Sequence, residues 1–558
     1  MTDHASTTPT GGPTHGDTAP TVTVRAGERS ITVPTGLFIN GSFRPGGDGE
    51  TISVVDASTA RPFADVASAT EADATEALDH AVAVQQDWAA TPTRERAEIM
   101  RRIFDLLMEN AEDLAALQSL ELGRALPDSK GEVAYGSEYF RWFSERACAV
   151  RGDYRAAPAG NGRIVTHHRP VGPVLAITPW NFPLAMVTRK LAPALAAGCT
   201  LIAKPAQLTP LTMLFVAELC RRAGLPDGVF QVLPTSSAKR VSTLLEDDRL
   251  RKLTFTGSTE VGLKLASTAA QRAIRTSLEL GGNAPFVVLS HADVDRAVEA
   301  AIASKMRGGG QVCIASNRFI VHRDVAEAFT RGVVERMGQF VLGPGTHPKT
   351  TLGPMVSADQ LEKVAGLVER AVAEGATVEL GGYRLTEEKL AQMKSSGAGA
   401  EEGSTVGDGG PGEQLPAAAG DAGAPGTNTP LRTATDLDPA GYWYPPTVLS
   451  GVSSTSEIAN EEIFGPVLAI QTVDSDEEAL RIANDTPFGL AAYVMGEKLE
   501  ATIKFAEQLD AGMVGVNRGV ISDASAPFGG VKQSGLGREG GFEGIEEYLE
   551  TVYLALDV

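Results

Sequence analysis

The feature that most constrains this chain is a regular exchange of short apolar runs and helical stretches between Val171 and Gly282. "VGPVLAIT", "CTLIAKP", "VFQVL", "RKLTFTG" and "TSLEL" are runs of strand length. Between them lie "PLAMVTRKLAPALAAG", "TPLTMLFVAELCRRAG", the segment around "RVSTLLED", and "STEVGLKLASTAA". Strands joined through helices with short loops must run parallel and be covered on both faces. Such sheets bind nucleotides at the carboxyl ends of their strands. The spacing predicts a helix over 209–224, with Thr209 as its cap, Pro210 in the first turn and Gly224 at its end.

A second α/β block follows from Ala284: "APFVVLS", a helix in "ADVDRAVEAAIASKM", "NRFIVH" and a helix in "RDVAEAFTRGVVERM". Upstream, alternation in "GLFINGSF" predicts a first strand at 36–44, and apolar spacing predicts one long helix at 93–124 stopped by Gly123. Residues 1–35, rich in Thr, Gly and Pro at their start, read as a flexible tail without the basic and apolar regions of a secretory signal. Residues 394–440 are nearly free of large apolar side chains and read as a dispensable, disordered insertion.

At 558 residues the chain must divide its core among two or three domains. A net charge of −21 argues against nucleic acid or an anionic membrane as partner, and no apolar run is long enough to span a bilayer. The cysteines are Cys148, Cys199, Cys220 and Cys313. None forms a CxxC pair or lies near a His cluster, so no metal site is expected, and their scarcity fits a reducing, cytoplasmic setting.

One of them stands out. "GGGQVC" sets Cys313 behind Gly308, Gly309 and Gly310. Glycines serve where backbone must approach a ligand closely, so Cys313 fits a nucleophile, although alone it fits a small apolar filler beside a loop equally. Asn181 in "TPWNFP" lies at the end of a buried strand, where its amide suits an oxyanion or simply its own turn. Glu279 in "LELGG" suits a general base of raised pKa or a partly buried ion pair. "FTGSTEVG" offers a helix start to an anion at Gly257 and Ser258, or is an ordinary glycine turn.

Taken together, "TPWNFP", "KPAQLTP", "FTGSTEVG", "LELGG", "GGGQVC", "EEIFGP" and "PFGGVKQSGLGRE" stand in the order and spacing of the aldehyde dehydrogenase superfamily, which the chain resembles from about Gly36 to its end. The resemblance implies an α/β fold with a Rossmann-like cofactor domain (36–150 and 172–281), an α/β catalytic domain (282–535) and a small β oligomerisation element (151–171 and 536–558). It implies Cys313 as nucleophile, the Asn181 amide and the Cys313 N–H as oxyanion donors, and Glu279 as the base that activates water. Thr178, Pro179, Trp180, Lys204, Gly257 and Ser258 fall on cofactor positions, as do Glu462 at the nicotinamide ribose and Phe464 beside the ring. Where many NAD-preferring members carry Glu three residues after the lysine, this chain has Gln207. An amide neither binds the ribose hydroxyls strongly nor repels a 2′-phosphate, so NADP is the favoured cofactor and NAD the alternative. Ser236, Ser237, Lys239 and Arg240 are a second place to meet a phosphate, or a solvated loop.

Within the superfamily the C-terminal run and "MVTRKLAPALAAGCTLIAKPA" most resemble succinate-semialdehyde dehydrogenases. That group implies recognition of a distal carboxylate by Arg189, Arg307 and Ser522. Other aldehydes remain as alternatives: glutarate semialdehyde, or an aliphatic or aromatic one. More remote is a non-catalytic scaffold on the same fold. Ala315 stands where some members of the group have a second cysteine, so a local disulfide switch is not available. A homodimer or homotetramer is implied by strands offered to a neighbour.

Overall fold

The computed structural model of the chain describes residues 19–395 and 431–557. The predicted alternation closes into an eight-stranded sheet. At its centre Val174–Ile177 runs parallel to Leu201–Lys204 on one side and to Lys252–Thr256 on the other. Phe230–Val232 and Arg275–Glu279 extend the two wings in parallel. The direction of winding reverses between Val174–Ile177 and Lys252–Thr256. The loops leaving their carboxyl ends, Thr178 onward and Gly257 onward, therefore open onto one crevice.

The second block forms a seven-stranded sheet in the order Thr377–Leu380, Thr447–Ser450, Val467–Val473, Ser316–His322, Ala284–Val288, Ala491–Met495 and Met513–Val516. All neighbours are parallel except the first pair. Leu549–Leu556 pairs antiparallel with Arg163–Pro170, and that strand with Asp153–Ala156. This small sheet leaves Tyr154, Tyr553, Leu554 and Leu556 exposed.

Several expectations are corrected. The strand expected over 36–44 is a hairpin, Leu37–Ile39 against Ser42–Arg44, because Asn40 and Gly41 both take left-handed backbone angles and turn the chain. The single helix at 93–124 is two, Thr93–Glu109 and Ala111–Leu122, interrupted at Asn110, whose side chain bonds back to the Leu106 carbonyl. Gly123 does end the second, at φ 81°. Thr209 does not cap the helix Leu211–Arg222. Its hydroxyl donates to the Trp180 carbonyl, and the buried Glu121 accepts from the Leu211 and Thr212 N–H groups at 3.0 Å each.

The flexible tail expected through residue 35 is also too long. Residues 1–18 lie outside the described residues, but Thr21–Ala26 and Arg29–Pro34 form a hairpin that buries Val24, Ile31 and Val33. It packs on the helices Ala111–Leu122 and Leu211–Arg222, and Arg29 pairs with Asp113 at 2.5 Å. Most of the expected insertion, residues 396–430, lies outside the described residues. Its C-terminal flank is ordered structure: Arg432–Thr433 pairs with Val341–Leu342, and Leu437 is buried. Excising 394–438 should therefore not be neutral. Loss of Leu437 alone removes about 2–5 kcal/mol of packing, so thermal melting should shift down by several degrees. An unchanged melt would return this flank to a dispensable loop.

Candidate active site

The glycines before Cys313 do what their residue type allows. Gly308, Gly309 and Gly310 take φ of 58°, 65° and 75°, three left-handed residues in succession that side chains would resist. A Cβ on Gly310 would stand 2.1 Å from the Gly465 carbonyl. The turn therefore presses against the loop carrying Glu462 and Phe464, and Phe464 is itself left-handed at φ 58°. Asn181 is buried, and its amide donates to the Gln311 carbonyl at 3.0 Å, two residues before Cys313. Gln311 in turn accepts from the Val356 N–H at 3.0 Å through its side chain.

Glu279 ends the strand Arg275–Glu279 and is 3% exposed, with Oε2 unpartnered. Burial and the nearby Glu539 hold its carboxyl well above the usual range, while Arg189, Lys190 and Arg538 oppose them. Burial likewise pushes the Cys313 thiol up to about 12, against the pull of Arg189 and Arg307. The Cys313 thiol thus rests protonated, and it needs added positive charge or a proton acceptor to become reactive, while burial disfavours charge on Glu279.

The crevice between the sheets suits a nicotinamide dinucleotide. Thr178 keeps a buried hydroxyl without a partner. Lys204 ends its strand mostly enclosed, and burial alone lowers its pKa, with no carboxylate among the described residues paired to it. Gln207 and Ser258 are exposed at the rim. A Cβ on Gly257 would strike the buried Phe255 ring at 2.5 Å, so only glycine fits the turn there. Trp180 and Phe464 meet edge to face with centroids 5.4 Å apart. Glu462 accepts from the Gly282 N–H at 3.3 Å, and burial raises its carboxyl to about 7. The region around Ser236 is less suited, because Arg240 is paired with Asp48 and Glu50.

The two arginines expected to meet a substrate carboxylate are placed differently. Arg307 Nη1 donates to Ser522 Oγ at 2.9 Å, and its guanidinium lies over the rings of Phe182 and Tyr135. Arg189 is 1% exposed, stands 4.5 Å over the Phe528 ring and pairs with Glu539. Glu539 also pairs with Lys190, which donates to Thr256 Oγ1 at 2.7 Å. The sequence reading missed Lys190 and Glu539. Its signal was available: two adjacent cations inside the wholly buried helix Ala185–Ala197 require a carboxylate from elsewhere.

A doubly wound sheet with Lys204 at a strand end in its switch-point crevice, and with Glu279 and Cys313 supplied by the two sheets, fits an oxidoreductase of the nicotinamide-dependent class. The family model described as the aldehyde dehydrogenase family matches residues 43–394 and 425–554. The chain is 46% identical over 495 residues to a succinate-semialdehyde dehydrogenase of Paenarthrobacter nicotinovorans, covering 88% of this chain and 98% of that one. It is 38% identical to a glutarate-semialdehyde dehydrogenase of Pseudomonas putida (93% and 97% covered) and 37% identical to the NADP(+) succinate-semialdehyde dehydrogenase of Escherichia coli (93% and 97%). The crystal structure of succinate-semialdehyde dehydrogenase from Burkholderia pseudomallei superposes with a TM-score of 0.83 at 38% identity, covering 94% and 98%. This chain belongs to the aldehyde dehydrogenase family.

The raised thiol has a direct consequence. Without cofactor, alkylation of Cys313 by iodoacetamide should be slow at pH 7 and rise steadily through pH 9, since only the thiolate reacts. Saturating NADP+ should bring the rise to lower pH. Equal rates at pH 7 and 9 in the free enzyme would contradict the assignment.

Proposed function

We propose that the protein oxidises succinate semialdehyde to succinate with NADP, and with NAD more weakly. The observation that carries the reading is Arg307 held by Ser522 beside the aromatic wall of Tyr135 and Phe182. A guanidinium so placed offers a fork to a carboxylate at the far end of a short aldehyde. Arg189 is the second arginine of the grip, with its charge shared with Glu539. The names of the relatives at 46% and 37% identity support the same substrate.

Cys313 as thiolate attacks the aldehyde carbon, and the Asn181 amide with the Cys313 N–H stabilises the oxyanion. When bound, the nicotinamide accepts hydride and lends the site positive charge. Loss of hydride from the thiohemiacetal leaves a thioester on Cys313. Glu279 takes a proton from water, the hydroxide displaces the thiolate, and the acid leaves. Lys204 and the Gly257–Ser258 turn hold the adenosine side, with Gln207 admitting a 2′-phosphate. Thr178, Pro179 and Trp180 wall the crevice, and Glu462 and Phe464 place the nicotinamide ribose and ring.

The domain roles follow the same reading. Residues 36–150 and 172–281 bind cofactor, and 282–535 supply the nucleophile. Residues 151–171 and 536–558 join copies into a homodimer or homotetramer through the exposed face of the small sheet. The scarcity of cysteines supports a cytoplasmic enzyme. Among the described residues no helix is long and apolar enough to cross a membrane.

The second reading is glutarate semialdehyde, favoured by the relative that carries that name at 38% identity. Steady-state kinetics separate them. Succinate semialdehyde should exceed butanal in kcat/KM by about 100-fold, the worth of a charge-assisted contact, and should exceed glutarate semialdehyde. Arg307→Ala should erase most of the margin over butanal. Equal use of succinate semialdehyde and butanal would end the substrate reading and leave the dehydrogenase. In a separate test, Glu279→Gln should release about one NADPH per site and then stall, because hydrolysis has lost its base. Full turnover in that variant would move the base elsewhere.

A further inference from the structure

The two loops that must converge on an aldehyde carbonyl come from different sheets, and both are tied to one short stretch of chain that neither sheet contains. Gly123 ends one helix and Leu126–Arg146 begins the next. Between them, Arg124 Nη1 donates to the Asn181 carbonyl at 3.2 Å, and its guanidinium lies 4.9 Å from the centre of the Phe182 ring. Arg124 pairs with the buried Glu132. Glu132 accepts from the N–H groups of Leu184 and Ala185 at 2.9 and 3.0 Å. The Asn181 loop is thus held on both sides. One turn before Glu132, Asp128 Oδ2 accepts from the Gly308 N–H at 2.8 Å. Gly308 is the first of the three left-handed residues that deliver Cys313, and a Cβ on it would sit 3.6 Å from Arg124 Cδ.

We propose that Asp128 is a positioning residue: through the Gly308 N–H it sets the nucleophile loop in register with Asn181, which Arg124 fastens from the same turn. The proposal rests on Cys313 and Asn181 as nucleophile and oxyanion donor. Three consecutive glycines have no side chains to pin them, and glycine loses more freedom on ordering than any other residue. Their placement depends on hydrogen bonds from outside. Beyond Cys313 and at Gln311 such bonds come from Tyr493 to the Ile314 carbonyl, from the Val356 N–H to the Gln311 side chain and from Asn181 to the Gln311 carbonyl, whereas on the glycines themselves the Asp128 side chain holds Gly308. A carboxylate is the stronger acceptor for a backbone N–H. Burial raises the Asp128 carboxyl above its usual range, and the charges of Arg124 and Arg307 together with the Gly308 N–H oppose that rise. Because reacting groups misplaced by about 1 Å lose on the order of 100-fold in rate, this bond bears on turnover far more than on the stability of either core.

The test is single-turnover NADPH formation by the full chain with saturating NADP+ and enzyme in excess over aldehyde. The rate reports the approach of Cys313 to the carbonyl, and an amplitude equal to the aldehyde added shows that competent sites exceed it. Asp128→Ala should slow the rate about 10- to 100-fold, with amplitude and the KM for NADP+ unchanged. Asp128→Asn keeps an oxygen for the Gly308 N–H and should recover to within about threefold of the unmodified enzyme. A rate in Asp128→Ala within twofold of the unmodified enzyme overturns the proposal. So does an Asp128→Asn variant as slow as Asp128→Ala. Should Asp128→Ala not fold, Asp128→Glu takes its place. There the carboxylate is one methylene too long, and a slow rate with an intact thermal melt supports the proposal, while an unchanged rate overturns it. If the unmodified enzyme ignores succinate semialdehyde, the substrate reading has failed instead, and butanal serves for the same comparison.

Discussion

The contact on which this site depends is backbone against backbone: the left-handed turn Gly308–Gly310 against the carbonyl of Gly465. No side chain fits between them. The loop that delivers Cys313 and the loop that carries Glu462 and Phe464 are therefore packed as one surface. The strained Phe464 backbone belongs to the same contact, and strain of that kind persists only where its surroundings over-determine it. Everything else in the crevice is arranged around that seam. The first sheet ends at Thr178, Gly257 and Glu279 on one side, and the second supplies Cys313 on the other.

A second theme is charge held out of water. Glu279, Glu462 and the Cys313 thiol are all raised by burial. Beneath them Glu539 pairs with both Arg189 and Lys190, so the floor of the site carries more positive than negative charge when Glu279 is protonated. The ligand-free centre thus holds its thiol protonated, and burial disfavours charge on Glu279 as well. Reactivity comes only with cationic or proton-accepting partners, which limits side reactions of an exposed thiolate in the absence of cofactor.

Much of this was legible in the sequence because backbone demands leave marks. Glycine triplets, a strand-ending Glu279 and the alternating runs are local signals, and the sheet order makes them neighbours. What was not legible was long-range pairing. Glu121 replaces Thr209 as the cap of Leu211–Arg222 from about ninety residues away, and nothing local favours it over a threonine followed by proline. Asp128 sits in unremarkable polar surroundings in sequence, and Glu539 closes the motif "PFGGVKQSGLGRE" without its partners being readable there; their contacts arise only once distant cations or N–H groups are folded against them. The break at Asn110 was hidden for the opposite reason. The apolar period continues across it, so a helix reading runs on where the chain in fact bends. Arg189 shows the limit of a motif, because the motif singles it out but does not reveal its pairing with Glu539.

The hairpin Thr21–Pro34 lies ahead of residue 43, where the family match starts, yet it is fastened to the body of the protein. It lies on two helices of the cofactor side, and at its tip a Cβ on Gly27 would touch the Thr346 carbonyl in the other half of the molecule at 3.1 Å. A chain trimmed back to the start of the family match would uncover apolar surface along both helices. The limit of the family model and the limit of the packed structure do not coincide here.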